Sequence, residues 1–284
     1  MKATRLREAE KINLFFLVFF LLVALVHIRE FSSYKIIYEY LLLLGLQVFF
    51  IKKRITERRL GWLYDIFFPV VSVLLVFDSM TVLVHVVNPR DIDYRLIQLD
   101  YMILGTYPTV YLERFINPLL TDLLQLSYST YYFLPVILGV ILKIRGRQEE
   151  FNQGLALILL CFYLSYVGYM LFPALGPRYT MLHLQSVELK GLYLFEKTSE
   201  ILNAIEGIKR DAFPSGHTAV TLVVLHLAYK FEKRLFYIYT PIAALLIFST
   251  VYCRYHYFVD VVGGVGLYLL TIMISRVLLF KKTR

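Results

Sequence analysis

Eight stretches of this 284-residue chain are apolar over nearly membrane-spanning lengths: Ile12–His27, Tyr34–Ile51, Leu63–Val87, Ser127–Leu142, Gln153–Phe172, Ser215–Tyr229, Leu235–Tyr252 and Tyr257–Phe280. Hydrocarbon about 30 Å thick takes roughly 20 residues of helix, and within it every backbone N–H and C=O must be satisfied inside the chain. The pattern predicts an all-α, polytopic membrane helical bundle of about eight transmembrane helices, a six-helix core preceded by two N-terminal helices. An apolar share of 58% agrees, since a soluble domain of this length carries about half.

The formal charge of +9 raises nucleic acid as a partner, but the placement of the cations argues for topology instead. Eighteen of the thirty Lys and Arg fall in the short segments on the side of the N-terminus, among them Arg7, Lys11, Lys143, Arg145, Arg147 and Lys230. Eleven fall in the longer segments opposite, and Arg276 lies inside a span. Cytoplasmic loops are the basic ones, so both termini are expected in the cytoplasm and nucleic acid is not an expected partner. The basic N-terminus precedes an apolar run that ends Leu25-Val26-His27-Ile28-Arg29, without a small-x-small cleavage pattern, which predicts a retained first span. Cys161 lies mid-span and Cys253 near a span end, so no disulfide is expected between them.

Two polar stretches occupy the outer side. Between residues 88 and 126, apolar positions recur at helical spacing but are cut by Pro89, Gly105, Pro108 and Pro118, predicting short interfacial helices. Residues 179–213 form a second outer segment with the character of a lid. Tyr128, Tyr131 and Tyr132 read as an aromatic belt at the membrane surface.

Ionisable side chains at span edges are costly unless they work, and three clusters stand on the outer side: Gly176-Pro177-Arg178, Pro214-Ser215-Gly216-His217 and Arg254-Tyr255-His256 through Asp260. The spacing of His256 and Asp260 puts both on one helix face, where a carboxylate can accept one imidazole proton and leave the other nitrogen as a nucleophile. Ser215 suits a helix start, Gly216 permits close approach of a ligand, and free N–H groups there favour a phosphate. His217 can then protonate a leaving oxygen, with Arg178 and Arg254 neutralising the non-bridging oxygens. Tyr179, Lys209 and Arg210 are further candidates beside them. No third ligand is spaced near the two histidines, so neither a metal nor another cofactor is expected.

Pro214-Ser215-Gly216-His217, together with Ser249, His256 and Asp260, resembles the second and third motifs of the type-2 phosphatidic acid phosphatase superfamily. The resemblance covers roughly Leu63 to Phe280. It implies that His256 is the phosphorylated nucleophile, Asp260 its orienting partner, His217 the general acid, and Arg178 and Ser215 phosphate contacts. It divides the chain into an N-terminal two-helix extension, residues 1–62, and a catalytic membrane domain, residues 63–284. The pattern departs at Leu171 and Thr250, where the family has Lys and Arg, and at Tyr179, where it has Pro. Gly176-Pro177-Arg178-Tyr179 and the stretch from Arg254 to Gly264 are closer in style to inositol phosphorylceramide and sphingomyelin synthases. The expectation is a metal-independent lipid phosphatase working through a phosphohistidine at the extracytoplasmic face, with a headgroup phosphotransferase as the alternative. A transporter or non-catalytic lipid-binding protein is the rival, although no inverted repeat supports it. The partners implied are a phosphorylated lipid and the bilayer, and the oligomeric state is left open.

Overall fold

A computed structural model describes residues 6–56, 58–205 and 209–279, and over them the chain is all-helical. Lys2, Arg5, Lys281, Lys282 and Arg284 of the expected inner charge lie outside the described residues. The helices are α1 (Glu8–Val26), α2 (Lys35–Thr56), α3 (Arg58–Val87), α4 (Asp93–Leu104), α5 (Pro108–Tyr111), α6 (Pro118–Ser129) and α7 (Phe133–Ile144), followed by α8 (Gln148–Leu171), α9 (Pro177–Thr180), α10 (Phe195–Ile205), α11 (Gly216–Phe231), α12 (Lys233–Tyr252) and α13 (Phe258–Ile274).

Among the described residues, six helical segments are long and apolar enough to cross a membrane: Glu8–Val26, Tyr64–Val87, Pro118–Ile144, Gln148–Leu171, Lys233–Tyr252 and Phe258–Val277. The other two expected spans are helices, α2 and α11, that fall outside this set. At 16 residues, α11 is about 24 Å long, shorter than the hydrocarbon it sits beside. Large apolar side chains such as Phe15, Leu22, Phe67, Phe133 and Leu269 are more than half exposed on the outside of the bundle. Contiguous apolar surface of this extent fits lipid, and the protein is an integral membrane protein.

The fourth expected span differs from its sequence reading. Asn117 caps α6 by accepting from Leu120 N at 2.9 Å, Pro118 fills the first helical position, and a 3-10 turn at Thr130–Tyr132 joins α6 to α7. Residues 118–126 therefore belong to a 27-residue helical rod and not to the interfacial helices expected over 88–126. The separate pieces on that face are α4 and α5; Gly105, at φ 66°, ends the first, and Pro108 starts the second.

Helix α8 is the most buried of the six and packs against α1, α3, α7, α11 and α13. The N-terminal pair shares one apolar cluster with α3 and α8. Polar side chains tie the four together: Asn13 donates to Gln47 at 2.8 Å, Ser72 donates to Asn13 at 3.1 Å, and Tyr163 also bonds Asn13. Such interhelical hydrogen bonds are the usual adhesive where lipid removes the hydrophobic driving force.

The two ends of the bundle have different chemistry. At one end Arg7 pairs with Asp65 at 2.6 Å, Lys143 also pairs with Asp65, Arg145 pairs with Glu232, and Arg147 donates to Phe231 O at 2.5 Å. At the other end α4, the turn after α5, and α6 contribute four buried carboxylates that hold the loops. Asp93 accepts from Leu175 N, Gly176 N and the Tyr257 hydroxyl, and Asp100 accepts from Phe258 N and Val259 N at the start of α13. Glu113 accepts from Ser186 and Arg254, while Asp122 takes the four consecutive N–H groups of residues 192–195. Carboxylates that accept several backbone N–H groups fix loops that would otherwise carry unsatisfied donors.

Candidate active site

Both histidines lie at this second end. His217 is the second residue of α11, whose start Ser215 caps by accepting from Thr218 N at 3.2 Å, while Ser215 N donates to Asp260 O at 3.0 Å. That backbone bond joins the start of α11 to the first turn of α13. Opposite Gly216 a Cβ would meet the Tyr169 hydroxyl on α8, so the glycine admits a neighbouring helix. The sequence points to a ligand in that space, which α8 takes instead.

His256 occupies the turn between α12 and α13. The N–H groups of Tyr255 and His256 both donate to Thr250 O at 2.9 Å, and Arg254 takes a left-handed φ of 64° to make the turn. His256 Nδ1 lies 2.8 Å from Ala212 O. A carbonyl only accepts, so Nδ1 carries the proton and Nε2 keeps its lone pair. Nε2 faces His217 Nδ1 at 3.4 Å.

Asp260 is fully buried, 3.4 Å from His256 Nδ1, and its Oδ2 accepts from Tyr257 N at 2.8 Å. Its Oδ1 has no hydrogen-bond partner among the described residues. The tautomer of His256 is thus held mainly by the Ala212 carbonyl, where the sequence pointed to Asp260. The side chain of Asp260 instead closes the first turn of α13, with Oδ2 3.4 Å from the ring. Burial pushes the His256 imidazole down to about 4, Asp211 and the Ala212 carbonyl pull it up, and Arg178 pulls it down. At neutral pH it is an uncharged base.

Arg178 follows Gly176, whose φ of 86° and lack of a Cβ let the chain pass against Tyr255 O. Arg178 N donates to Arg254 O at 3.0 Å, and its guanidinium lies 4.9 Å from the ring centres of both Tyr179 and Tyr255. From there its charge reaches both histidines. Tyr128 is stacked between Tyr255, at 4.3 Å, and His217, at 4.4 Å, and Tyr131 packs on His217 at 4.2 Å. Tyr128 and Tyr131 are buried, so two members of the expected aromatic belt wall the site instead.

The remaining candidates divide. Arg254 turns into the loops at this end of the bundle, donating to Glu113 Oε1 at 2.8 Å, Gln185 Oε1 at 3.1 Å and Val187 O at 2.5 Å. Both terminal guanidinium nitrogens are taken by these partners, which displaces Arg254 from the phosphate clamp read from the sequence. Ser249 donates to Leu246 O of its own helix at 2.6 Å and stays buried there. Arg210 pairs with Asp91 at 2.8 Å and bonds His85. Lys209 lies 5.6 Å from the Tyr179 ring that Arg178 also covers, which keeps it at the mouth of the site.

Asp211 was not singled out from the sequence. It lines one cavity with His217, and its charge bears on His256 and Arg178. A carboxylate two residues after Lys209 in a basic segment was the available signal. Among the described residues no group of three or more His, Cys, Asp or Glu is disposed to hold a metal ion.

The fold and the site define an integral membrane protein with a two-histidine centre at one end of a helical bundle. The chain belongs to the PAP2 superfamily, whose family model matches residues 96–274. It is also 28% identical over 169 residues to a PA-phosphatase related-family protein of Dictyostelium discoideum, a match that covers 52% of this chain and 30% of that relative. No solved structure matches. The family match starts within α4, so α1, α2 and α3 precede the matched residues.

Proposed function

We propose that this protein is a lipid phosphatase that works through a phosphohistidine on His256, at the extracytoplasmic face of a membrane with both termini in the cytoplasm. The observation that carries the reading is the facing pair: Nε2 of His256, unprotonated because Nδ1 is bonded to Ala212 O, stands 3.4 Å from Nδ1 of His217. Once the two rings part to admit a phosphate held by Arg178, Nε2 attacks it, forming the P–N bond as the P–O bond to the lipid alcohol breaks. His217 gives its proton to the departing oxygen. Water then attacks phosphorus, giving a proton to His217, and the P–N bond breaks to release phosphate. Asp260 and the Ala212 carbonyl stabilise the cationic ring that forms in between.

One observation favours a second reading. With Arg254 bound to Glu113, Gln185 and Val187, less positive charge faces the histidines, which suits a phosphodiester donor better than a monoester carrying nearly two negative charges. On that reading a lipid or polyol hydroxyl replaces water, as in a headgroup phosphotransferase. Purified protein in vesicles, given a labelled lipid phosphate monoester or diester with and without ceramide, diacylglycerol or inositol, separates them. Phosphate release that is independent of acceptor supports the phosphatase, and acceptor-dependent transfer supports the second reading. Full turnover by His256→Ala would overturn both.

A further inference from the structure

A cavity of about 150 Å³ runs between α3, α7 and α8, with Tyr169, Asp211 and His217 at one end and Asp65, Leu142 and Phe151 at the other. Tyr169 and Phe151 stand eighteen residues apart on α8, about 27 Å at 1.5 Å per residue, close to the whole hydrocarbon thickness of about 30 Å. Between its two polar ends the lining is apolar. Helices α3 and α7 both pack on α8 but barely touch one another, so the long side of the groove opens towards lipid past Val70 and Leu74, both partly exposed. The far end is closed by ions: Asp65 holds Arg7 and Lys143, and the Lys143 ammonium lies 4.8 Å from the Phe151 ring centre.

An ordinary tail whose phosphate lies at His256 ends near the bilayer midplane, about 15 Å in, and leaves the lower half of such a groove unfilled. A longer tail fills it and gains the dispersion contacts that the shorter one leaves unmade. Resting on the function proposed above, we infer that this groove holds the substrate's tail, and that the Arg7–Asp65–Lys143 floor selects lipid phosphate esters whose apolar chain extends past the midplane. The N-terminal extension then takes part in specificity, because Arg7 precedes α1 and belongs to the floor. Length is the recognised chemistry, shared by long prenyl and very long acyl chains.

The test uses His256→Ala protein in vesicles, with prenyl and saturated acyl monophosphates of increasing length carrying a photoreactive group at the tail end. Cross-links are expected to move from near Phe77 towards Asp65 as the tail grows, and to stop short in Leu74→Trp. Val70→Trp, whose side chain lies partly towards lipid, serves if Leu74→Trp fails to fold. With His256 intact, either plug should lower turnover of the longest tails roughly tenfold or more relative to the shortest. Labels confined to outward residues such as Phe133 at every length, or a map unchanged by both plugs, would overturn the inference. Labels that follow the groove, in a protein whose wild type neither releases nor transfers phosphate, would leave the tail site standing and remove the proposed reaction. A shift in one series alone assigns the groove to prenyl or to acyl chains.

Discussion

His256 Nε2 faces His217 Nδ1 at 3.4 Å, while the other nitrogen of His256 is bonded to the carbonyl of Ala212, two residues before Pro214 of the same segment that carries His217. One short stretch therefore delivers one imidazole and fixes the tautomer of the other. If His217 protonates the leaving oxygen, His217→Gln should lower turnover of a lipid alkyl phosphate by roughly 10²- to 10⁴-fold. An aryl phosphate, whose leaving group needs less protonation, should lose much less. Parallel kcat measurements on the two esters check this, and equal losses would remove the acid role.

The pH profile follows from burial of His256. If His256 is the nucleophile, its imidazole must be neutral to attack, and because burial pushes it down to about 4, kcat/KM should persist through mildly acidic pH and fall as pH drops through about 4. Unfolded, the ring takes its proton near 6.5, so between 6.5 and about 4 the unfolded chain binds more protons than the folded one. Stability should therefore decline as pH falls across that window. Melting in detergent at a series of pH values should show a shallower decline for His256→Gln than for wild type.

Asp211 raises the His256 imidazole against the effect of burial. Asp211→Asn should move the acid limb of kcat/KM to lower pH, and should also lower activity at neutral pH if the carboxylate helps hold Arg178. An unmoved acid limb would show that Asp211 does not act on His256.

Arg254 and Glu113 are both buried and bonded at 2.8 Å. Removing one partner leaves the other charge buried alone, so Arg254→Met or Glu113→Gln should each cost about 3–5 kcal/mol. The double variant should cost less than the two losses added together, which a double-mutant cycle of melting in detergent measures directly.

Asp122 accepts from the N–H groups of Leu192, Tyr193, Leu194 and Phe195 at 2.8–3.2 Å. Asp122→Ala leaves these donors without their acceptor and unpins the start of α10. Limited proteolysis should then cut within residues 186–194 faster than in wild type, with cleavage at the ion-paired opposite end unchanged.

Much of the bundle was legible because spans are written in local composition. Long apolar runs bounded by Lys and Arg marked the helices, and Gly105 and Pro108 marked the breaks between the short helices α4 and α5. The extent of the fourth span was less clear, because Asn117, Pro118 and the 3-10 turn at Thr130–Tyr132 act through backbone geometry, which hydropathy does not register. The site was legible where residues act within one turn, as at Ser215 and His217. The pairing of Arg254 with Glu113 crosses 141 positions of the chain and leaves no local pattern.

The sequence by itself determined that the chain is a membrane helix bundle and which two histidines are brought to one end, because helix length, charge placement and short motifs are local properties. Only the tertiary structure decided that Ala212 O orients His256, that Tyr128 and Tyr131 wall His217, and that Arg254 is held by the loops. Each of these is a contact between residues far apart in the chain. Their partners are chosen by how α6, α8, α11 and α13 pack and by which carboxylates fix the loops between them.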